Sequence, residues 1–272
     1  MTYGVIGGDR RQAELAALLA AEGNAVASYG LGTTDQRLED AARAEVVLLP
    51  LPLTKETGTL NCERAQVPLK ELFAALRPDQ RILAGQVKAA EQQMAAAYGL
   101  TIVDYFLREE LTIANAAITA DCAIRLAQDS LGKALPETLV LGFGRIGKLL
   151  CSRLQRLGVR VTAAARKAED LAWAQAYGYE ALHVHGLPGH LSGFGLVFNT
   201  VPAAVLDAGL AAQLLPECLC IDLASQKGIE LPEGERCIWA RGLPGRMAPK
   251  AAAQAIRETV GHILMEQRGE HA

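Results

Sequence analysis

Short apolar runs alternate with amphipathic stretches along most of the chain, and this alternation predicts its elements. Residues 2–6 (TYGVI) read as a strand, Gly7, Gly8 and Asp9 as a turn, and residues 11–22 as a helix that Gly23 ends. Further strands are predicted over 25–29, 46–49, 81–84 and 100–103, with helices near 35–42, 69–76 and 88–98. A longer helical segment follows from about Leu111 to Gly132, where Ala123, Ile124, Ala127 and Leu131 form an apolar stripe. Strands over 138–141, 159–165, 195–199, 219–223 and 236–240 and a final helix over 250–267 complete the pattern. Strand-then-helix alternation implies parallel sheets covered on both faces. The fold expected is α/β, two doubly wound parallel-sheet domains joined by a linker helix. The division expected is 1–132, carrying the linker helix, and 133–272, carrying the final helix.

The length of 272 residues suits two domains, and a hydrophobic share of 50% lets each bury a core. A formal net charge of -3 argues against a nucleic-acid surface. The run in MTYGVIGGDRRQ is too short for a signal peptide and is broken by Asp9, Arg10 and Arg11, and no apolar run approaches the roughly 18 residues of a membrane span. The six cysteines include no C-x-x-C pair, so they read as reduced core residues of a cytoplasmic protein.

The stretch with the clearest chemistry is TLVLGFGRIG, residues 138–147. Gly142, Gly144 and Gly147 stand in G-x-G-x-x-G spacing after a strand and before a helix, the Rossmann dinucleotide pattern. Gly142 makes the sharp turn, Gly144 lets the backbone approach a pyrophosphate, and Gly147 lets helix and strand pack closely. Arg145 and Ile146 open the helix, whose free N–H groups face the phosphates. A cofactor of the NAD type usually meets a carboxylate at the end of the next strand, but this chain has Arg166 and Lys167 there. A guanidinium matches a 2′-phosphate in planar, bidentate fashion, so the cofactor expected is NADP. A solvated basic turn is the plainer alternative. Asn199, Thr200 and Pro202 end a later strand and should point at the cofactor, because ligands bind at strand carboxyl ends.

Other stretches offer candidate chemistry beside plainer roles. Arg10 and Arg11, at a helix start, could bind a carboxylate, or Asp9 could simply cap that helix. The polar loop from Pro50 to Asn61 is open to both readings. Asn115, Thr119 and Asp121 lie toward the start of the linker helix and could orient a substrate, or cap the helix. His183, His185 and His190 are close in sequence, but no Cys or carboxylate completes a ligand set, and no metal is expected. ARGLPGRMAPK reads as a stiffened loop before the final helix.

Taken in order, GGDRRQ, NAAITADCAI, VLGFGRIG with AAARK, FNTVP, IDLAS and ARGLPGRMAPK closely resemble the A subunit of dipicolinate synthase, from Val5 to about Ile256. The sequence departs from that family at Ile118 to Cys122, ITADC where the family has P-T-A-E-G, and at Ser225 to Ile229, SQKGI where it has S-K-P-G-G. The resemblance implies an NADP-binding oxidoreductase that forms dipicolinate during sporulation and works with the flavoprotein-like B subunit of dipicolinate synthase. It implies a small dicarboxylate substrate derived from 4-hydroxy-tetrahydrodipicolinate, for which Arg10, Arg11, Asn115 and Thr119 are the candidate binding residues. Asp121, Ser225 and Lys250 are the candidates for catalysis. Assembly of the chain with itself is compatible with this reading. The rivals are another NADP-dependent dehydrogenase of a small acid and a dinucleotide-sensing module without turnover.

Overall fold

The computed structural model describes residues 1–32, 36–231 and 236–269. Contacts divide the chain into two units, one formed by Met1–Asn115 with Pro244 onward and the other by Ala116–Leu243. In the first unit the elements run β1 (Thr2–Ile6), α1 (Arg10–Ala21), β2 (Ala25–Tyr29), α2 (Leu38–Ala42), β3 (Val46–Leu48), α3 (Leu69–Ala75), β4 (Arg81–Ala84), α4 (Ala89–Ala96) and β5 (Ile102–Asp104). Its five strands are all parallel in the order β2-β1-β3-β4-β5. The helix predicted from residue 35 begins, in sequence, on a position outside the described residues, and its described part is α2.

One apolar layer of this unit joins Ile6, Val47, Leu49 and Ile82 of the sheet to Leu69, Leu72 and Phe73. The other joins Tyr3, Val5, Leu15, Leu19 and Leu48 to Ala253, Ile256, Val260, Ile263 and Leu264. Alternate residues of β1 therefore serve opposite layers, as the two-residue strand period requires.

The helix α5 (Glu109–Leu131) leads into the second unit. There follow β6 (Thr138–Leu141), α6 (Arg145–Arg156), β7 (Val161–Ala165), α7 (Ala168–Ala176), β8 (Glu180–His183), β9 (Leu196–Asn199), α8 (Ala208–Ala211), β10 (Leu219–Asp222) and β11 (Cys237–Trp239). The six strands are parallel in the order β11-β10-β9-β6-β7-β8. Order reverses at β6, so the turn after β6 lies at the topological switch point, where open α/β sheets bind ligands. Two parallel-sheet α/β units are thus present, as the alternation predicts.

Four expectations need correction. The final helix, α10 (Pro249–Gln267), does not belong with the second sheet: its apolar face, Ala253, Ile256, Val260 and Ile263, is buried in the first unit, and Arg257 bonds Glu22 at 2.6 and 2.8 Å. An apolar stripe says that a helix buries a face but not against which sheet. The stretch before it is not all loop, because Leu243–Met247 forms the short helix α9, with Pro244 at its second position, where the missing N–H costs nothing. The linker helix starts at Glu109, so Asn115, Thr119 and Asp121 lie along its length instead of at its start. The strand β8 is absent from the predicted set, for its four residues, EALH, show no clear alternation and none is fully buried.

No helix among the described residues is long and apolar enough to cross a membrane. The six cysteines are free thiols, five of them buried.

Candidate functional site

The glycine turn after β6 has the geometry its spacing implies. Gly142 has φ +94°, and a Cβ there would stand 2.4 Å from the Thr200 hydroxyl oxygen. At Gly147 a Cβ would stand 2.0 Å from the Gly142 carbonyl oxygen, so this glycine is what allows α6 to lie on the turn. Gly144 differs, since a Cβ there would meet nothing within 4 Å. It is also the N-cap of α6 and supplies no side-chain hydrogen bond to that helix. The turn therefore presents a helix N-terminus without a capping side chain beside open space, a cradle for an anion such as a pyrophosphate.

Beside the turn lies a cavity of about 750 Å³ within the second unit. Its walls come from the turn (Gly142, Phe143), the end of β7 and start of α7 (Ala165, Arg166, Lys167, Asp170), the segment after β8 (Val184, His185, Pro188) and the segment after β9 (Val201, Pro202, Val205). Mostly apolar walls with a few charged groups at one side suit a flat heterocycle joined to a polar tail. Arg166 and Lys167 bring two cations against the single carboxylate of Asp170. Lys167 is the N-cap of α7 and makes no side-chain capping bond, so a second helix N-terminus also opens on this wall.

Behind the cavity a buried polar knot fixes the loops. Asp222 is fully buried and accepts hydrogen bonds from Asn199 Nδ2 at 2.9 Å, Ala224 N at 3.0 Å and Gly228 N at 2.7 Å. Asn199 Oδ1 in turn accepts from Val201 N at 3.0 Å. The Trp239 indole donates to the Ala224 carbonyl at 3.0 Å. A buried carboxylate is tolerable when several N–H groups share its charge, and this one ties the ends of β9 and β10 together.

These bonds sort the residues expected to hold a dinucleotide. Gly142, Arg166, Lys167 and Pro202 line the cavity, and Gly144, Arg145, Ile146 and Gly147 form the adjoining turn and first helical turn. Asn199 and Thr200 do not line it. The Asn199 amide is taken up by Asp222 and Val201, and the Thr200 hydroxyl donates to the Leu141 carbonyl at 2.9 Å, so both build the wall from behind. Phe143, Asp170, Val184, His185, Pro188 and Val205 line the cavity without having been singled out for it. Asp170 has a local mark in the sequence, since it occupies the first turn of the helix after Arg166. Phe143 lies within the glycine turn itself, whereas Val184, His185, Pro188 and Val205 arrive from segments after β8 and β9, and nothing local marks them.

The remaining candidates do not gather at this turn. Asp121 is exposed and paired with Arg153 of α6, whose NH2 group lies 3.2 Å from Oδ2. Arg153 stands eight residues beyond Arg145, about 12 Å along the helix, so the pair is well away from the open end of α6. On α5, Thr119 is buried and Asn115 half-buried, and Ser225 is exposed just after the Asp222 knot.

In the first unit, Arg11 is largely buried. It donates to Asp9 from Nε at 2.9 Å and NH2 at 2.8 Å, and also to the Leu51 carbonyl. Asp9 caps α1 through the Arg11 N–H at 3.0 Å, and Gln12 completes a capping box. Burial would raise the Asp9 carboxyl, but the bonds and charge of Arg11 outweigh it and hold the group below the usual carboxylate range. Arg10 is exposed in the first turn of α1, and Lys250 is exposed in the first turn of α10. In the loop between β3 and α3, Thr54 donates its hydroxyl to the buried Glu91, and Asn61 Nδ2 donates to the Pro52 carbonyl at 3.0 Å. These two groups brace that loop.

Comparison with known proteins places the sequence and the fold. Residues 2–106 match the family described as the N-terminal domain of the dipicolinate synthase A subunit. Over 98% of this chain and 96% of that protein, the chain is 26% identical to the dipicolinate synthase A subunit of Bacillus subtilis (strain 168). The chain resembles the dipicolinate synthase A subunit along nearly its whole length. The crystal structure of the A subunit from Bacillus halodurans superposes with a TM-score of 0.83 at 25% identity, covering 97% of each chain. A transhydrogenase from Sinorhizobium meliloti shares the fold at a TM-score of 0.71 and 16% identity, covering 99% of this chain and 95% of that one. The dipicolinate synthase resemblance read from six motifs is thereby shown, and so is the two-sheet α/β fold.

Proposed function

We propose that this chain is an NADP-dependent oxidoreductase subunit that forms dipicolinate from a dihydropyridine dicarboxylate, itself the dehydration product of 4-hydroxy-tetrahydrodipicolinate. The observation that carries the reading is the cavity beside the glycine turn, where Arg166 and Lys167 replace the carboxylate that would favour NAD. Gly144 and the opening turn of α6 would hold the pyrophosphate, and Arg166, Lys167 and the N-terminus of α7 a 2′-phosphate. NADP, when bound, supplies the acceptor for a hydride leaving the substrate ring, and loss of one ring proton alongside it yields the aromatic product.

The chain's own tasks are to hold two carboxylates and to take up that proton. Arg10, exposed in the first turn of α1, is the substrate-holding group we favour in the first unit, with Arg11 acting through Asp9 as a brace. Asn115 and Thr119 of α5 are proposed to orient the substrate, and Ser225 and Lys250 to serve proton transfer. Asp121, paired with Arg153, is assigned a bracing role instead. The dipicolinate synthase resemblance further suggests a partner, the B subunit of that enzyme, and a cytoplasmic place of work during sporulation follows from the same reading.

Mixing the purified chain, NADP and freshly formed 4-hydroxy-tetrahydrodipicolinate should produce NADPH and dipicolinate together, and faster once the purified B subunit is added. NADP binding without product under either condition would replace the oxidoreductase reading with that of a dinucleotide sensor. Equal rates with and without the B subunit would make the partner dispensable for the chemistry.

A further inference from the structure

We propose that His183 is the positioning residue that sets dinucleotide choice, by clamping the two cavity walls that face a 2′-phosphate. The inference rests on the NADP reading above and extends it to a residue that does not itself line the cavity. His183 ends β8, and its ring stands between two segments that do line it. Its Nε2 is 3.0 Å from the Arg166 carbonyl oxygen, at the end of β7. Its Nδ1 accepts the His185 backbone N–H at 3.2 Å.

The two bonds fix the tautomer. A ring nitrogen that accepts an N–H carries no proton, so the proton of the neutral ring is on Nε2 and is donated to the carbonyl. One imidazole thus joins the peptide between Arg166 and Lys167 to the peptide at which the chain turns after β8. The rings of His183 and His185 also meet edge to face, with centroids 4.9 Å apart. Arg166 and Lys167 are exposed, so their side chains gain little from packing, and the direction in which they leave the wall depends on the backbone that the clamp holds. The glycine turn is tied to β7 separately, through the Gly142 N–H, which donates to the Ala164 carbonyl at 2.8 Å. Loosening the clamp should therefore cost NADP affinity and spare NAD.

The test is calorimetric titration of the full-length chain with NADP and with NAD, in the parent and in His183→Phe, His183→Gln and Arg166→Ala. His183→Phe keeps a ring but removes both bonds, and is expected to weaken NADP about tenfold while NAD changes less than about twofold. His183→Gln can both donate and accept, and should recover most of the loss. Combined with Arg166→Ala, His183→Phe should add nothing further, because the histidine acts through that arginine. Should the Phe variant not fold, His183→Asn, polar but too short to bridge both groups, takes its place with the same expectation. Equal weakening of both cofactors, no weakening, no recovery with Gln, or full additivity with Arg166→Ala would each overturn the clamp. A parent chain that binds NAD as tightly as NADP would instead remove the cofactor reading beneath it, whatever the variants do.

Discussion

Each unit contains a strand, a glycine turn and a helix in succession, yet the turns end differently. After β1, Gly7 and Gly8 have φ of +69° and +111°, and the space above them is filled by the chain: a Cβ at Gly8 would stand 2.5 Å from Gln12 Oε1. Asp9 and Gln12 cap α1 reciprocally, and Arg11 neutralises Asp9. After β6, a Cβ at Gly144 would meet nothing within 4 Å, and no side chain of the N-cap reaches the first turn of α6. The same backbone device is thus closed by an internal carboxylate in one unit and left for an external anion in the other. Glycine count does not separate the two; the residue after the glycines does, an aspartate in one case and Arg145 in the other.

The open turn is most sensitive at Gly144. Gly144→Val places a branched side chain in the open space, and NADP affinity should fall at least about 100-fold, some 2.7 kcal/mol. The melting temperature should stay near that of the parent, since an extended φ of -81° at this position suits valine. Retained NADP affinity in a folded Gly144→Val protein would move the cofactor away from this turn.

Next in size is Arg166→Ala, expected to cost NADP about 1.5–3 kcal/mol, the worth of hydrogen bonds to a charged group, and to leave NAD nearly unchanged. Paired titrations decide it, and a matching loss for both cofactors would deny the arginine a 2′-phosphate role.

The smallest effect belongs to the closed turn. Asp9→Ala removes a helix cap and leaves Arg11 without its partner, and should lower stability by about 1–2 kcal/mol in denaturant unfolding. The lowered carboxyl of Asp9 stabilises the fold fully above its ordinary value, and this contribution is lost as pH falls through the depressed value. Asp9→Asn should therefore flatten the acid limb of a stability profile below about pH 4 and leave neutral pH less stable. An unchanged acid limb would show that Asp9 does not carry it.

Much of this was legible in the sequence, for identifiable reasons. Buried parallel strands such as VVL over 46–48 and TLVL over 138–141 announce themselves as apolar runs, and glycine spacing marks the open turn at the N-terminus of α6. Arg166 was legible because its place is set by counting from Gly142. The strand β8 was hidden because an edge strand that is never fully buried need not be apolar. The cavity walls at Val184, Pro188 and Val205 were hidden because they meet only once the sheet has formed. Asp121 looked chemical in isolation, and only the helix geometry revealed Arg153 beside it. The partner of α10 was hidden for a similar reason, since Ile256 and Val260 are as apolar for one sheet as for another.

That last helix bears on how the protein is made. The second unit occupies one unbroken stretch, Ala116–Leu243, whereas the first draws its closing layer from the final segment of the chain. A ribosome releases residues in order, so the later-starting unit has its entire sequence available first. The unit that begins at Met1 must wait, with Val5, Leu15 and Leu48 lacking the Ile256 and Val260 side of their core, until Pro249–Gln267 emerges. Domains usually complete themselves from the N-terminus onward during synthesis. In this chain the order in which the two cores have all their residues available is the reverse.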